Sequence, residues 1–140
     1  MKTYARLSYE DARRAIDRIV QKATEIREEV AVAVTDPHGE LIAFARMDGV
    51  ALPSIQIAMN KAWTAARTGK PTQEIGEKVK HPERGHDISY YGDPRYLGWG
   101  GGVPVRSADQ IIGAIGVSGL SSVEDATLAK LGVDAINAAE

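Results

Sequence analysis

Two pairs of apolar segments, each joined by a short polar turn, constrain the fold of this chain most. Residues 30–35 and 40–46 flank the turn at 36–39 (Asp-Pro-His-Gly), where proline fixes φ at the second position and glycine suits the last. Residues 103–118 repeat the pattern around a polar turn at 106–109. Each pattern predicts an antiparallel β-hairpin. Two hairpins argue against a parallel doubly wound sheet, in which single helices would alternate with strands.

Three further segments carry the 3.6-residue apolar spacing of helices that bury one face. The first follows Ser8, a good N-cap, and Asp11 is placed to complete a capping box. The second begins near Pro53 and ends near Gly69, and the third begins near Ser121. With the two hairpins, these helices predict an α/β (α+β) fold, in which helices cover both faces of one antiparallel sheet. We expect this α-β-α sandwich to be a single domain spanning residues 1–140.

Composition and charge exclude several classes of function. The chain has 140 residues and no cysteine, so thiolate zinc sites, iron–sulfur clusters and disulfides are excluded. The net charge of -2 argues against a nucleic-acid partner or a polybasic membrane surface. The N-terminal residues lack the apolar core of a signal peptide, and no apolar run is long enough to span a membrane. We therefore expect a soluble, cytoplasmic protein that binds neither nucleic acid nor membrane.

The segment from Gly76 to Gly102 loses the apolar periodicity of the rest of the chain. It is rich in glycine and contains two of the three histidines, together with several tyrosines and Trp99. One short helical turn is expected at 72–75, just before it. A long irregular segment inside a compact domain is usually functional or mobile. The functional residues are therefore expected between His81 and Gly102.

Four motifs follow one another along nearly the whole chain. They are the first hairpin with its continuation Arg46-Met47-Asp48-Gly49, the segment Asn60-Lys61-Ala62, the run Gly100–Val105, and residues 112–119 followed by Glu124-Asp125. In this order they resemble the GlcG/HbpS-like haem-binding family, which includes the C-terminal domain of PduO-type corrinoid proteins. The resemblance implies a profilin-like sandwich, a homo-oligomer, and haem or a degraded tetrapyrrole as the ligand of some members. Haem is therefore the cofactor we expect, and no other cofactor is indicated.

Residues 80–99 match no motif of that family, so the family's haem ligands are not transferred onto this chain. His81 and His86 are candidates on chemical grounds, because histidine is the usual ligand of haem iron and also exchanges its proton near neutral pH. Their spacing of five in a loop does not match the helical pairs that bind metals. Asp87 is placed in sequence to orient His86. The sequence does not show whether a metal binds or which metal it would be.

Other candidates would contact the body of a ligand or its carboxylates. Trp99 is expected to form a wall for a flat ligand, and the backbone N–H groups of Gly100, Gly101 and Gly102 are expected to face an anion. Arg46 and Lys61 would clamp carboxylates if both point into one cleft. Asp125, at the start of the last helix, is interpreted as a partner of the helix dipole.

Three functions remain open at this stage. The first is a binding protein for haem or a related small molecule, acting in uptake, storage or sensing. The alternative is a small cofactor-independent enzyme, a lyase, isomerase or hydrolase acting on an organic acid, with His86 or Tyr90 as the catalytic general acid/base and Arg46 or Lys61 holding the carboxylate. The third is a structural oligomer without a ligand.

Overall fold

The computed structural model describes residues 1–139 and contains four α-helices and one four-stranded antiparallel sheet. In chain order the elements are α1 (Tyr9–Glu25), β1 (Ala31–Thr35), β2 (Leu41–Arg46), α2 (Pro53–Thr68), α3 (Thr72–Val79), a 3-10 helix (Ile88–Tyr91), β3 (Gly102–Ser107), β4 (Gln110–Ser118) and α4 (Ser122–Asn137). The strand order is β2-β1-β4-β3, so the two hairpins meet through β1 and β4. This architecture confirms the predicted fold class.

Helices cover both faces of the sheet, and side-chain size differs between the faces. Along β1 the valines Val32 and Val34 enter the core under α1 and α4, whereas Ala31 and Ala33 pack on the other side with α2. Because successive side chains of a strand point to opposite faces of the sheet, strand β1 contributes to the apolar cores on both faces. The small side chains on the α2 face allow that helix to lie close to the sheet.

Helix α2 lies very close to the sheet at Gly116 in β4. A Cβ atom added at Gly116 would lie 2.6 Å from the backbone nitrogen of Ala62 and would also overlap the carbonyl oxygen of Ala58. Glycine inside a strand often marks such a contact between backbones. At Gly116 the neighbouring backbone is that of α2, whereas a Cβ at Gly113 would meet Thr35 of β1 and the side chain of Leu7.

Local signals set the helix ends as predicted. The Ser8 hydroxyl accepts a hydrogen bond from the backbone of Asp11 at 3.0 Å, and the Asp11 carboxylate accepts one from the backbone of Ser8 at 2.9 Å. Gly69 ends α2 with φ of 70°, a left-handed conformation that glycine adopts without strain. Ser121 caps α4 by accepting a hydrogen bond from the Glu124 backbone.

Two elements are longer than predicted. Helix α3 continues through Gly76 to Val79, because Gly76 packs directly against the backbone of Gly98. Strand β3 extends to Ser107, so the second hairpin closes in a tighter turn with Ala108 at φ of 53°. None of the helices within residues 1–139 combines the length and apolarity needed to cross a bilayer.

Substitution of Gly116 by alanine tests the contact between α2 and the sheet. We expect Gly116→Ala to lose about 3 kcal/mol or more of unfolding free energy, because overpacking a tight core costs about 1–3 kcal/mol and here the neighbours are backbone atoms. Urea unfolding followed by circular dichroism measures the loss. Ser107→Ala, at an exposed position of β3, serves as the control and should leave the midpoint unchanged. Equal stability of Gly116→Ala and the parent chain would contradict the described packing.

Candidate functional site

Three neighbouring clefts lie along α3, β3 and α4. The wide one has a volume of about 660 Å³, and the smaller ones have volumes of about 210 and 380 Å³. The first and second share four lining residues, and the second and third share Glu74 and Glu77, so the three clefts lie side by side. We call this row of clefts the α3 groove.

The wide part of the α3 groove combines apolar walls with cations. The apolar walls come from Pro71, Val103, Pro104 and Val133, the cations are Lys70, Arg106 and Lys130, and the acids are Glu74 and Asp134. The Arg106 guanidinium is held in place by donating to the carbonyl oxygen of Gly69 at 2.8 Å. With five charged and four apolar side chains, the cleft is more polar than most small-molecule sites, and its guanidinium group favours a ligand that carries carboxylates.

His81 lines the far end of the α3 groove, beside Lys78 and Arg84. Its Nδ1 accepts hydrogen bonds from the backbone N–H groups of Glu83 at 3.2 Å and Arg84 at 3.0 Å. Its Nε2 lies 3.2 Å from the Arg84 guanidinium. Because Nδ1 accepts, the proton of the neutral ring is on Nε2. Ligation of iron through Nε2 therefore requires the ring to change tautomer and Arg84 to move away.

His86 lies in a row of aromatic rings outside the groove. Its ring stacks on Tyr91 at 5.4 Å, Tyr91 meets the edge of Tyr96 at 5.0 Å, and Tyr96 meets Trp63 at 4.5 Å. Within residues 1–139, the buried Nε2 atom of His86 has no hydrogen-bond partner. The ring in contact with His86 is thus that of Tyr91, whereas the predicted catalytic Tyr90 is 80% exposed.

Asp87 does not orient the imidazole of His86. Its carboxylate oxygen Oδ1 accepts a hydrogen bond from the backbone of Ser89 at 2.9 Å and so caps the 3-10 helix. This hydrogen bond lowers the pKa of the Asp87 carboxyl. Adjacency in sequence gave the wrong partner here, because a short polar side chain preceding a helical turn satisfies the local backbone first.

The run Gly100–Gly102 is buried and bonded within the protein. The N–H of Gly102 donates to the Thr72 hydroxyl at 2.9 Å, and the carbonyl oxygen of Gly101 accepts from the backbone of Val117 at 3.0 Å. Gly101 and Gly102 line the 210 Å³ part of the groove. The N–H of Gly102 is therefore engaged by Thr72 and does not face an anion. Trp99, just before this run, is 59% exposed.

Lys61 and Asp125 form a buried ion pair beneath the glycine run. The Lys61 ammonium lies 3.0 Å from the Asp125 carboxylate and donates to the carbonyl oxygen of Val117 at 2.9 Å, and both residues are 2% exposed. Burial lowers the pKa of Lys61, and the Asp125 carboxylate partly opposes this. Asp125 lies in the first turn of α4, as predicted, and its carboxylate is in addition buried against Lys61, a partner that the sequence did not indicate.

The predicted carboxylate clamp of Arg46 and Lys61 is not assembled in this structure. The Lys61 ammonium is enclosed with Asp125, and Arg46 is exposed at the end of the edge strand β2. Neither residue lines the α3 groove. The cations that do line its wide part were missed, because Lys70 and Arg106 sit in segments that the sequence marks only as a helix end and a turn.

A second charged surface surrounds the buried indole of Trp63. The guanidinium groups of Arg67 and Arg95 lie 4.7 and 4.2 Å from the centre of its ring. Arg95 also pairs with Asp93 at 2.9 Å, and its hydrogen bonds lower the pKa of the Asp93 carboxyl to about 2. We call this region the Trp63 surface. Residues 1–139 contain no group of three acidic or imidazole side chains placed to hold a metal ion.

Comparison with known proteins extends this description. Residues 7–134 match the family model described as haem-degrading HbpS-like proteins. The GlcG protein of Escherichia coli K12 is 37% identical over 118 residues, which cover 84% of this chain and 85% of GlcG. The match confirms the family resemblance predicted from the motifs.

Two solved structures share the fold over nearly the whole chain. The Klebsiella pneumoniae protein ORFY superposes with a TM-score of 0.95 at 31% identity, covering 100% of this chain and 97% of its own. A haem complex of PduOC superposes with a TM-score of 0.88 at 28% identity, covering 95% of this chain and 96% of its own. The conformation described here is therefore the one that these relatives adopt.

The buried ion pair predicts a specific pattern of stability among variants. Lys61→Met should lose about 3–5 kcal/mol of unfolding free energy, because it leaves the Asp125 carboxylate buried without its cation. The double variant Lys61→Met with Asp125→Leu should recover most of this loss, since no unpaired charge remains. Urea unfolding of the three proteins measures both effects. A double variant less stable than Lys61→Met would contradict the assignment.

The pair of Asp93 and Arg95 predicts a pH dependence. Arg95→Gln should raise the pKa of Asp93 from about 2 toward its ordinary value of 3.8, which carboxyl NMR titration measures. Because the folded pKa is lowered, the pair's stabilising effect is present above the ordinary pKa and is lost as the pH falls toward 2. Arg67→Gln is the control and should change this pKa only slightly, because Arg67 acts on Asp93 through space. Equal pKa values in Arg95→Gln and the parent chain would contradict the pairing.

Proposed function

We propose that this chain, which belongs to the HbpS-like family, is a small-molecule binding protein whose ligand is haem or a related tetrapyrrole. The family is described as haem-degrading, and the similar PduOC has been solved as a haem complex. On this chain, the observation that carries the proposal is the α3 groove, where cations border apolar walls and an imidazole lies at one end. Uptake, storage or sensing of the ligand are the roles that such a site serves.

The α3 groove offers suitable residues for the propionates and the macrocycle of haem, and a less direct match for the iron. Its two propionates match the cations Lys70, Arg106 and Lys130, and its flat macrocycle matches the walls at Pro71 and Pro104. A cleft of about 660 Å³ also lies within the usual range of ligand sites, about 300–1,000 Å³. These cations and apolar walls support haem as the ligand, although the acids Glu74 and Asp134 also line the cleft.

His81 is the residue that would ligate the haem iron, once the side chains around it have rearranged. His81 is the histidine that lines the groove, and its Nε2 is opposed by the Arg84 guanidinium. We infer that three changes accompany haem binding: Arg84 moves, the His81 ring changes tautomer, and Nδ1 gives up the hydrogen bonds from the backbone N–H groups of Glu83 and Arg84. His81 then presents Nε2 to the iron. When bound, haem supplies an iron centre whose reactivity depends on the axial ligand and the surrounding polarity. The chain's own part is to hold the carboxylates and orient the ring.

The enzyme alternative has no comparable support. It would use His86 or Tyr90 as the general acid/base, but His86 is stacked on Tyr91 outside the α3 groove, and Tyr90 is 80% exposed and does not line that groove. The homo-oligomer stays a prediction. Exposed Trp99 and Leu52 would supply apolar contacts for it, and light scattering after size-exclusion chromatography measures the mass directly.

Titration with hemin, followed through the Soret band, tests the proposed function. We expect saturable binding with a shifted band. The variant Lys70→Gln/Arg106→Gln/Lys130→Gln should bind about tenfold more weakly or worse, because a hydrogen bond to a charged group contributes about 1.5–3 kcal/mol. His81→Ala should change the position of the band, because the axial ligand is lost.

Two histidine variants serve as matched controls for this titration. His38→Ala and His86→Ala remove imidazoles outside the groove and should leave the spectrum of the complex unchanged. Absence of a Soret shift in the parent chain would refute haem binding. A spectrum altered by His86→Ala but unaffected by His81→Ala would place the iron in the aromatic row instead.

A further inference from the structure

We propose that the Trp63 surface is a second binding site, specific for small carboxylates and separate from the α3 groove. A cleft of about 300 Å³ opens there between the β1–β2 turn, the end of α2 and Tyr96. Its lining residues are Pro37, His38, Ala66, Arg67 and Tyr96. No lining residue is shared with the α3 groove.

The cleft is preorganised by the indole of Trp63. Trp63 is 4% exposed and supports the Arg67 guanidinium at 4.7 Å from its ring centre. The β1–β2 turn lies flat against the same indole, because Gly39 has φ of 91° and a Cβ there would lie 2.7 Å from Trp63 Cδ1. The edge of Tyr96 packs on the ring at 4.5 Å. These contacts fix the walls before any ligand arrives, which reduces the entropy cost of binding.

Arg67 is the cation available to a ligand. Among residues 1–139 it has no salt-bridge partner, and one of its N–H groups donates to the carbonyl oxygen of His38 at 3.3 Å. A guanidinium has five N–H donors, so several remain. The neighbouring Arg95 is already neutralised by Asp93, and the Glu40 carboxylate is near enough to contribute to the raised pKa of Arg95. Arg67 is therefore the guanidinium of this surface that has no direct carboxylate contact among residues 1–139, although the carboxylates of Asp93 and Glu40 balance the summed charge of the two arginines.

These features favour a small carboxylate over other anions. A planar guanidinium binds a carboxylate through two parallel hydrogen bonds. A single unpaired cation matches one negative charge, whereas phosphate sites use several cations or backbone N–H groups. The apolar faces of Pro37 and Ala66 and the ring of Tyr96 would contact the rest of the molecule. The cleft is less than half the volume of the wide part of the α3 groove, which suits a ligand of one ring or a short chain.

Benzoate is the probe for this site, and benzamide is its neutral control of the same shape. In ¹⁵N-labelled protein, we expect benzoate to cause saturable shifts of the Trp63 indole and Arg67 side-chain signals. Benzamide should bind at least tenfold more weakly than benzoate. Arg67→Gln should weaken benzoate binding about tenfold or more, the loss expected for a charge-assisted pair. Arg106→Gln, which removes a cation of the α3 groove, should not change it, and saturating hemin should not compete.

Several outcomes would overturn the proposal. They are equal binding of benzoate and benzamide, equal binding by Arg67→Gln and the parent chain, and tighter binding of inorganic phosphate than of benzoate. Arg67→Lys keeps the charge but loses the planar fork, so it should also bind weakly. If circular dichroism shows that Arg67→Gln is unfolded, the weaker binding of benzoate by Arg67→Lys is the measurement that tests the proposal. Because hemin and benzoate are titrated separately, failure at one site leaves the other interpretation intact.

Discussion

The ion pair between Lys61 and Asp125 is the interaction on which the rest of this structure depends. It joins the middle of α2 to the start of α4, and through the carbonyl of Val117 it reaches the end of β4. The Lys61 ammonium fits because Gly101 has no side chain, since a Cβ there would lie 2.7 Å from Nζ. Burying two charges is costly unless both are well bonded, and here both are. The pair thereby sets the position of the glycine run that lines the α3 groove.

The sequence predicted the elements of the fold well, because their signals are local. The capping box at Ser8, the turn at 36–39 and Gly69 at the end of α2 each depend on neighbouring residues, and the structure confirms them. The ion pair between Lys61 and Asp125 was not predictable, because 64 residues separate them along the chain. Apolar periodicity indicates which face of a helix is buried, but it does not indicate which distant residue that face contacts. The length of α3 was missed for the same reason, because a contact with Gly98 overrides the weak helix propensity of Gly76.

The sequence brought some of the residues of the proposed site to attention. Of the predicted ligand-binding residues, His81, Gly101 and Gly102 line the α3 groove, whereas Lys61 lies inside the core, and their roles stay predictions. The groove lies where α3, β3 and α4 pack together, so its position depends on tertiary packing and cannot be read from any single segment of the sequence. His86, Tyr91 and Tyr96 of the 81–99 segment pack on one another and on Trp63, so part of that segment builds the Trp63 surface. One irregular segment thus contributes to both of the proposed ligand surfaces.

The central claim is that a tetrapyrrole binds in the α3 groove. Mapping of backbone amide shifts on addition of zinc protoporphyrin, a diamagnetic analogue of haem, tests it most directly. We predict the largest changes at residues 68–84, 101–106 and 130–134, with His38 and Tyr96 nearly unaffected. Shifts centred on the Trp63 surface, or the absence of saturable shifts, would contradict this account.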